Sequence, residues 1–193
     1  MVQDGLMTSF VTRAAALCLM LMPVACMDTA NSTPGAMPVM RWDHRPEARE
    51  WTAATLEALK SEGAALSSTV PMDVAWFCPK YATAQPHERN AFWAGLFSSI
   101  AKYESTWNPR ASGGGGRYLG LLQISPQTAR SAGCDAGSLK DGAENLECAV
   151  KIAARRADQG DAVAQITADW GPMHDSRKRS EMASWTRQQS YCR

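Results

Sequence analysis

The sequence predicts an all-α, predominantly helical fold, and three observations carry that prediction. Apolar residues recur at helical spacing in two long segments, helix-starting residues precede both, and β-branched runs are few. The 193 residues are 45% apolar and 20% charged, an ordinary globular composition with length enough for a real core.

Near the start, "TRAAALCLMLMPVAC" places Arg13 before an apolar run from Ala14 to Ala25. The run is too short to span a bilayer and has the length of a secretory signal's apolar centre. Residues 1–26 are therefore expected to direct export, to the periplasm or cell envelope. The "PVAC" at the end of the run resembles a bacterial lipoprotein box, although Pro23 stands where such a box has Leu. A lipid on Cys26 would anchor the protein to a membrane face; ordinary signal-peptidase cleavage nearby is the alternative. Residues 27–45, rich in Pro, Thr, Ser and small residues, read as a linker.

Residues 46–70 are expected to hold an N-terminal helix, with Pro46 in its first turn and Trp51, Thr55, Ala58, Leu59 and Glu62 at helical spacing. Its expected role is to pack on the domain formed by residues 71–193. In that domain "QPHERNAFWAGLFSSIAKYES" is the clearest helix, started by Pro86 and Glu88, with Trp93, Leu96, Phe97 and Ile100 on one face. "DGAENLECAVKIAARRADQG" follows, capped by Asp141 with Glu144 and ended by Gly160, with a stripe of Leu146, Ala149, Val150 and Ala153. "DAVAQITADWGP" reads as a short helix capped by Asp161 and closed by Gly171-Pro172. A last helix is expected in the tail, where Arg177, Lys178 and Arg179 read as a solvated face.

Formal net charge is +1, so the whole chain carries no nucleic-acid signal. Setting aside Cys18 and Cys26, four cysteines remain, Cys78, Cys134, Cys148 and Cys192, which suits an exported protein. Four allow three connectivities; the favoured one joins Cys134 to Cys148 across a short loop and Cys78 to Cys192 at the tail. No C-x-x-C occurs and no His lies at ligand spacing from a Cys, so neither metal nor cofactor is expected.

Glu104 breaks the pattern of its helix. It lies eleven residues after Trp93, which returns it to within about 20° of the same azimuth. Its carboxyl therefore projects from the buried stripe, where desolvation raises a pKa and favours a general acid. The plainer reading is a helix-end Glu that snorkels or pairs with Arg110 or Arg117. The downstream run "ESTWNPRASGGGGRYLGLLQISPQTA" then supplies glycines at 113–116 and 120, where backbone can approach a ligand. It is no phosphate loop, because no Gly-Lys-Ser/Thr follows.

Taken together, Glu104-Ser105, Asn108-Pro109, Ala111-Ser112, Gly120-Leu121-Leu122-Gln123 and Pro126 with Thr128-Ala129 resemble the lytic transglycosylase family with a soluble-type, lysozyme-like catalytic domain. Asn145-Leu146 matches a later motif. A Tyr-containing turn whose hydroxyl contacts the catalytic Glu in that family is replaced here by "ADWGP", with Trp170 in the Tyr position. The resemblance covers roughly residues 75–175. It implies cleavage of peptidoglycan glycan strands between N-acetylmuramic acid and N-acetylglucosamine, with Glu104 as acid and then base and a 1,6-anhydro product. A protein partner in an envelope machine is a further expectation.

Around Glu104, the expected substrate contacts are Ser105, Gln123, Tyr118, Asn145 and Trp170. Ser105 would hydrogen-bond the saccharide or Glu104, or cap its helix. Gln123 would meet an acetamido group or brace the loop, and Tyr118 and Trp170 would stack on sugars. Asn145 would reach the glycan or hold the glycine loop. Tyr103 and Trp107 are expected in the core. Asp169 is the candidate second carboxylate; facing Glu104, it would favour muramidase-type hydrolysis. An inactive wall-binding or assembly protein on the same fold is the other alternative.

Overall fold

Residues 36–157 and 161–193 are described by the computed structural model. The expected signal segment, Cys26 and the helix-ending Gly160 lie outside them. The expected linker is structured at its C-terminal end, because Met40 and Trp42 are core residues. The Trp42 indole N–H donates to Thr52 Oγ1 at 2.9 Å, and its ring meets Trp51 edge-on at 5.9 Å. The Arg41 backbone N–H donates to Ser98 Oγ at 3.0 Å. Burying two such side chains outweighs the linker-like composition upstream.

The first helix, α1 (Ala48–Lys60), buries Trp51, Thr55, Ala58 and Leu59, as its spacing requires. The expected single helix ends at Lys60, before Glu62, and a turn over residues 61–63 leads into α2 (Ala64–Ser68). After α3 (Val74–Phe77) and a 3₁₀ turn at Tyr81–Thr83 comes the central helix, α4 (Pro86–Glu104). Gln85 N–H donates to the Glu88 carboxylate at 2.8 Å and closes its first turn. One apolar face was expected, yet every residue from Asn90 to Ala101 is buried. The helix is wrapped by α1, α2 and the C-terminal elements. Ser98 and Ser99 are tolerated inside because both donate to the Gly95 carbonyl, at 2.6 and 3.0 Å.

A small departure from the all-helical expectation follows. Strands β1 (Ser112–Gly113) and β2 (Tyr118–Leu119) pair antiparallel, Ser112 opposite Leu119, and the intervening glycines turn the chain. Next come α5 (Pro126–Ser131), capped by Ser125, and α6 (Gly142–Ala154), where the Asp141 carboxylate accepts from Ala143 and Glu144 N–H. Helix α6 ends at Ala154, short of the expected stop, and packs along α1. The short α7 (Val163–Ile166) is capped from a distance: Val163 N–H donates to Asp73 Oδ1 at 2.7 Å, the role expected of Asp161. Helix α8 (Ser176–Thr186) is capped by Asp175, and a final 3₁₀ turn spans Ser190–Cys192.

Disulfides join Cys78 to Cys192 and Cys134 to Cys148, the favoured connectivity. The second closes a loop with a sequence separation of 14. Replacing both of its cysteines with Ser should cost about 3 kcal/mol and lower the thermal midpoint by roughly 6–12 °C, which calorimetry would register. No helix among the described residues is long and apolar enough to cross a membrane.

Candidate active site

Glu104 is the last residue of α4, and the chain turns sharply away behind it. Thr106 and Trp107 both take left-handed backbone conformations, at φ 51° and 57°. Such geometry costs on the order of 1–3 kcal/mol per residue and needs outside support. Trp107 supplies it: its indole N–H donates to the Ser98 carbonyl at 2.8 Å, and its ring meets His44 at 4.6 Å. Ser105 takes the capping role, its hydroxyl donating to the Ala101 carbonyl at 3.2 Å. It does not line the cleft that Glu104 faces.

That cleft has a volume of about 420 Å³. One wall is the glycine loop, which contributes Gly113, Gly114, Tyr118 and Gln123. Gln123 is held with φ 46°, its amide N–H donating to the Gly120 carbonyl at 2.9 Å. Gln123 therefore braces the loop while lining the cleft. Its Oε1 lies so close to Gly113 that a Cβ there would come within 2.3 Å. Gly120, at φ 79°, is packed still tighter, with a Cβ reaching 2.1 Å from the Leu139 carbonyl oxygen. Tyr118 is 44% exposed and open to a ligand.

Asn145 requires a correction. It is fully buried and out of a ligand's reach. Its Oδ1 accepts from Leu122 N–H at 2.8 Å, and its Nδ2 donates to the Leu119 and Leu139 carbonyls at 3.0 and 2.9 Å. Of its two expected roles, it takes that of holding the loop.

The rest of the lining comes from Tyr103, Asp169, Trp170, Gly171, Pro172 and Lys178. Trp170 is only 2% exposed, which leaves little of the ring for stacking. Its indole N–H donates to the Leu122 carbonyl at 3.0 Å, so that proton is not directed at Glu104. Its ring packs edge-on against Phe97 at 5.6 Å. Asp169 reaches the cleft, but Arg156 holds its carboxylate through two guanidinium nitrogens, at 2.5 and 3.1 Å.

Two residues join the site against expectation. Tyr103 lines the cleft, and its hydroxyl donates to Glu181 Oε2 at 2.8 Å. Glu181 also accepts from Arg41 and Lys102, and Arg41 foremost holds its carboxyl down at about 2. Lys178, expected on a solvated face, lines the cleft with its ammonium 5.5 Å from the centre of the Tyr103 ring. No local pattern ties Lys178 to Glu104, because only the packing of α8 on α4 brings them together.

Burial pushes the Glu104 carboxyl up to about 7, against an opposing pull from the Lys178 cation. At neutral pH the group is thus divided between acid and base, which suits one residue to donate and recover a proton. Among the described residues, no group of three or more His, Cys, Asp or Glu side chains could hold a metal ion.

The model of the family described as "Transglycosylase SLT domain" matches residues 82–177, a span that contains Glu104, Gln123 and Trp170 and stops just before Lys178. Among solved structures, the wild-type form 2 of Bd0314 DslA superposes with a TM-score of 0.68 at 24% identity, covering 82% of this chain and 100% of that one. A glutamate-to-glutamine mutant of the same protein gives 0.70 at the same identity and coverage. These likenesses show the fold. No curated protein matches the chain.

Proposed function

Because the chain belongs, through residues 82–177, to the transglycosylase SLT family, we propose that it is a peptidoglycan lytic transglycosylase with Glu104 as its single acid and base. The observation that carries this reading is a half-buried carboxyl, raised to about 7, facing a cleft that the other carboxylate enters only as an ion pair. Protonated Glu104 gives its proton to the glycosidic oxygen between N-acetylmuramic acid and N-acetylglucosamine, and that bond breaks as the anomeric carbon gains oxocarbenium character. The resulting carboxylate takes the proton of the muramyl 6-hydroxyl, whose oxygen closes on the anomeric carbon. No water is consumed, and Glu104 ends protonated as it began.

Hydrolysis by a muramidase is the second reading, because Asp169 lines the same cleft. The two Arg156 contacts weigh against it, since they hold the carboxylate away from service as a base or nucleophile. Product masses from digested sacculi decide: transglycosylase products are one water lighter than hydrolytic ones. Finding only reducing-end muramic acid would sink the first reading. Gln123 and exposed Tyr118 are the proposed sugar contacts. Tyr118→Ala should raise KM on soluble glycan strands roughly three- to tenfold with little change in kcat, as expected when binding common to ground and transition states is lost.

The two disulfides and the wall substrate fit action in an oxidising compartment of the envelope. We propose export by the segment ending near Cys26, with lipid anchoring there as the variant that mass spectrometry of the mature N-terminus would detect.

A further inference from the structure

Lys178 lies in the first turn of α8, where the helix dipole disfavours a cation. Apart from Glu104, whose carboxyl feels its charge, the anions around it are already engaged. Glu181, one turn along the same helix, is shared by Arg41, Lys102 and Tyr103. Asp169 is held by Arg156, and Asp175 accepts the backbone N–H groups of Arg177 and Lys178 to cap the helix. Among the described residues no carboxylate forms a salt bridge with the Lys178 ammonium. Lys102 also lies over the Tyr103 ring, at 5.1 Å, but is tied to Glu181 and does not line the cleft. Arg179 turns to the Met173 carbonyl at 2.6 Å, and Arg177 does not line the cleft.

A half-buried ammonium above a tyrosine ring, in a cleft beside Glu104 and in no salt bridge, is arranged for a ligand anion. On the peptidoglycan reading above, the chemistry available is a carboxylate, from the lactyl group of a muramyl residue or from its stem peptide. We propose that Lys178 determines specificity by receiving such a carboxylate beside Glu104.

The test compares sacculi with the same sacculi after their carboxylates are amidated. Wild type should show kcat/KM roughly tenfold higher on the charged strands. Lys178→Met should collapse that ratio to near one, and Lys178→Arg should keep it. Using a ratio at one pH cancels any effect of the cation on Glu104 itself. A ratio that is the same in wild type and Lys178→Met, on both stem-bearing and amidase-stripped strands, overturns the proposal. In stem-bearing sacculi the lactyl carboxyl is itself an amide, so a preference there assigns the stem. A preference seen only on strands first stripped of stems by an amidase, then amidated or left charged, assigns the lactyl carboxylate.

If wild type releases no product from either substrate, the enzymatic reading falls by itself. Lys178 is then judged by retention of Glu104→Gln on charged against amidated sacculi. Equal retention with and without Lys178→Met overturns the proposal; a preference abolished by Lys178→Met supports it.

Discussion

Glu104→Gln should lower the release of soluble products from purified sacculi by roughly 10²–10⁴-fold, the range expected when a positioned acid and base is removed. Glutamine keeps the shape and can neither give nor recover the proton. On the proposed mechanism the reacting form is the protonated acid, so kcat/KM should be flat on the acid side and fall as pH rises through about 7. A profile that instead rises through that range would show that the carboxylate is the form required at the start.

The same group makes a stability prediction of definite sign. Its folded pKa lies above the ordinary value of 4.5. Between the two, the folded state binds more protons than the unfolded one, and stability falls as pH rises through that window. Glu104→Gln should therefore melt higher than wild type at pH 8, by roughly 2–4 °C once partial solvent screening is allowed for. The difference should vanish near pH 4. An inactive variant that is also destabilised at pH 8 would point to a structural role for the carboxyl instead.

Features encoded within a single segment were legible in the sequence. The azimuth of Glu104 follows from helix geometry alone, and so does the Asp141 cap, because both depend on neighbours a few residues away. The glycine run announced a loop whose backbone could approach a ligand, though not that two strands flank it. What escaped depends on elements distant in the chain meeting. Met40 and Trp42 sit in a segment of linker-like composition, and their burial exists only because α1 and α4 offer a surface. Tyr103 and Lys178 form one wall of the cleft only through the docking of α8. For Trp170 and Asn145 the residue type was informative, but the direction of the polar atoms was not. Both turn those atoms to backbone groups of the 119–122 segment, with Asn145 also reaching Leu139.

That segment's dependence on Asn145 sets the second large expectation. Asn145→Ala removes one acceptor and two donors, orphaning the buried Leu122 N–H and the Leu139 carbonyl, while the Leu119 carbonyl keeps the Ile124 N–H. Each orphaned buried group costs about 1–3 kcal/mol. The loop has little freedom to relax toward new partners, because Leu119 and Ile124 exchange two backbone hydrogen bonds and Gly120 is packed against Leu139. The total should reach about 3–5 kcal/mol, or roughly 6–20 °C in thermal midpoint. Asn145→Asp discriminates the cause. It keeps an acceptor for Leu122 N–H, yet sets a carboxylate against two carbonyl oxygens, so it should be no better than Ala. If Asn145→Asp melts close to wild type, the two donated bonds carry little, and the loop that presents Gln123 and Tyr118 is held by something other than this asparagine.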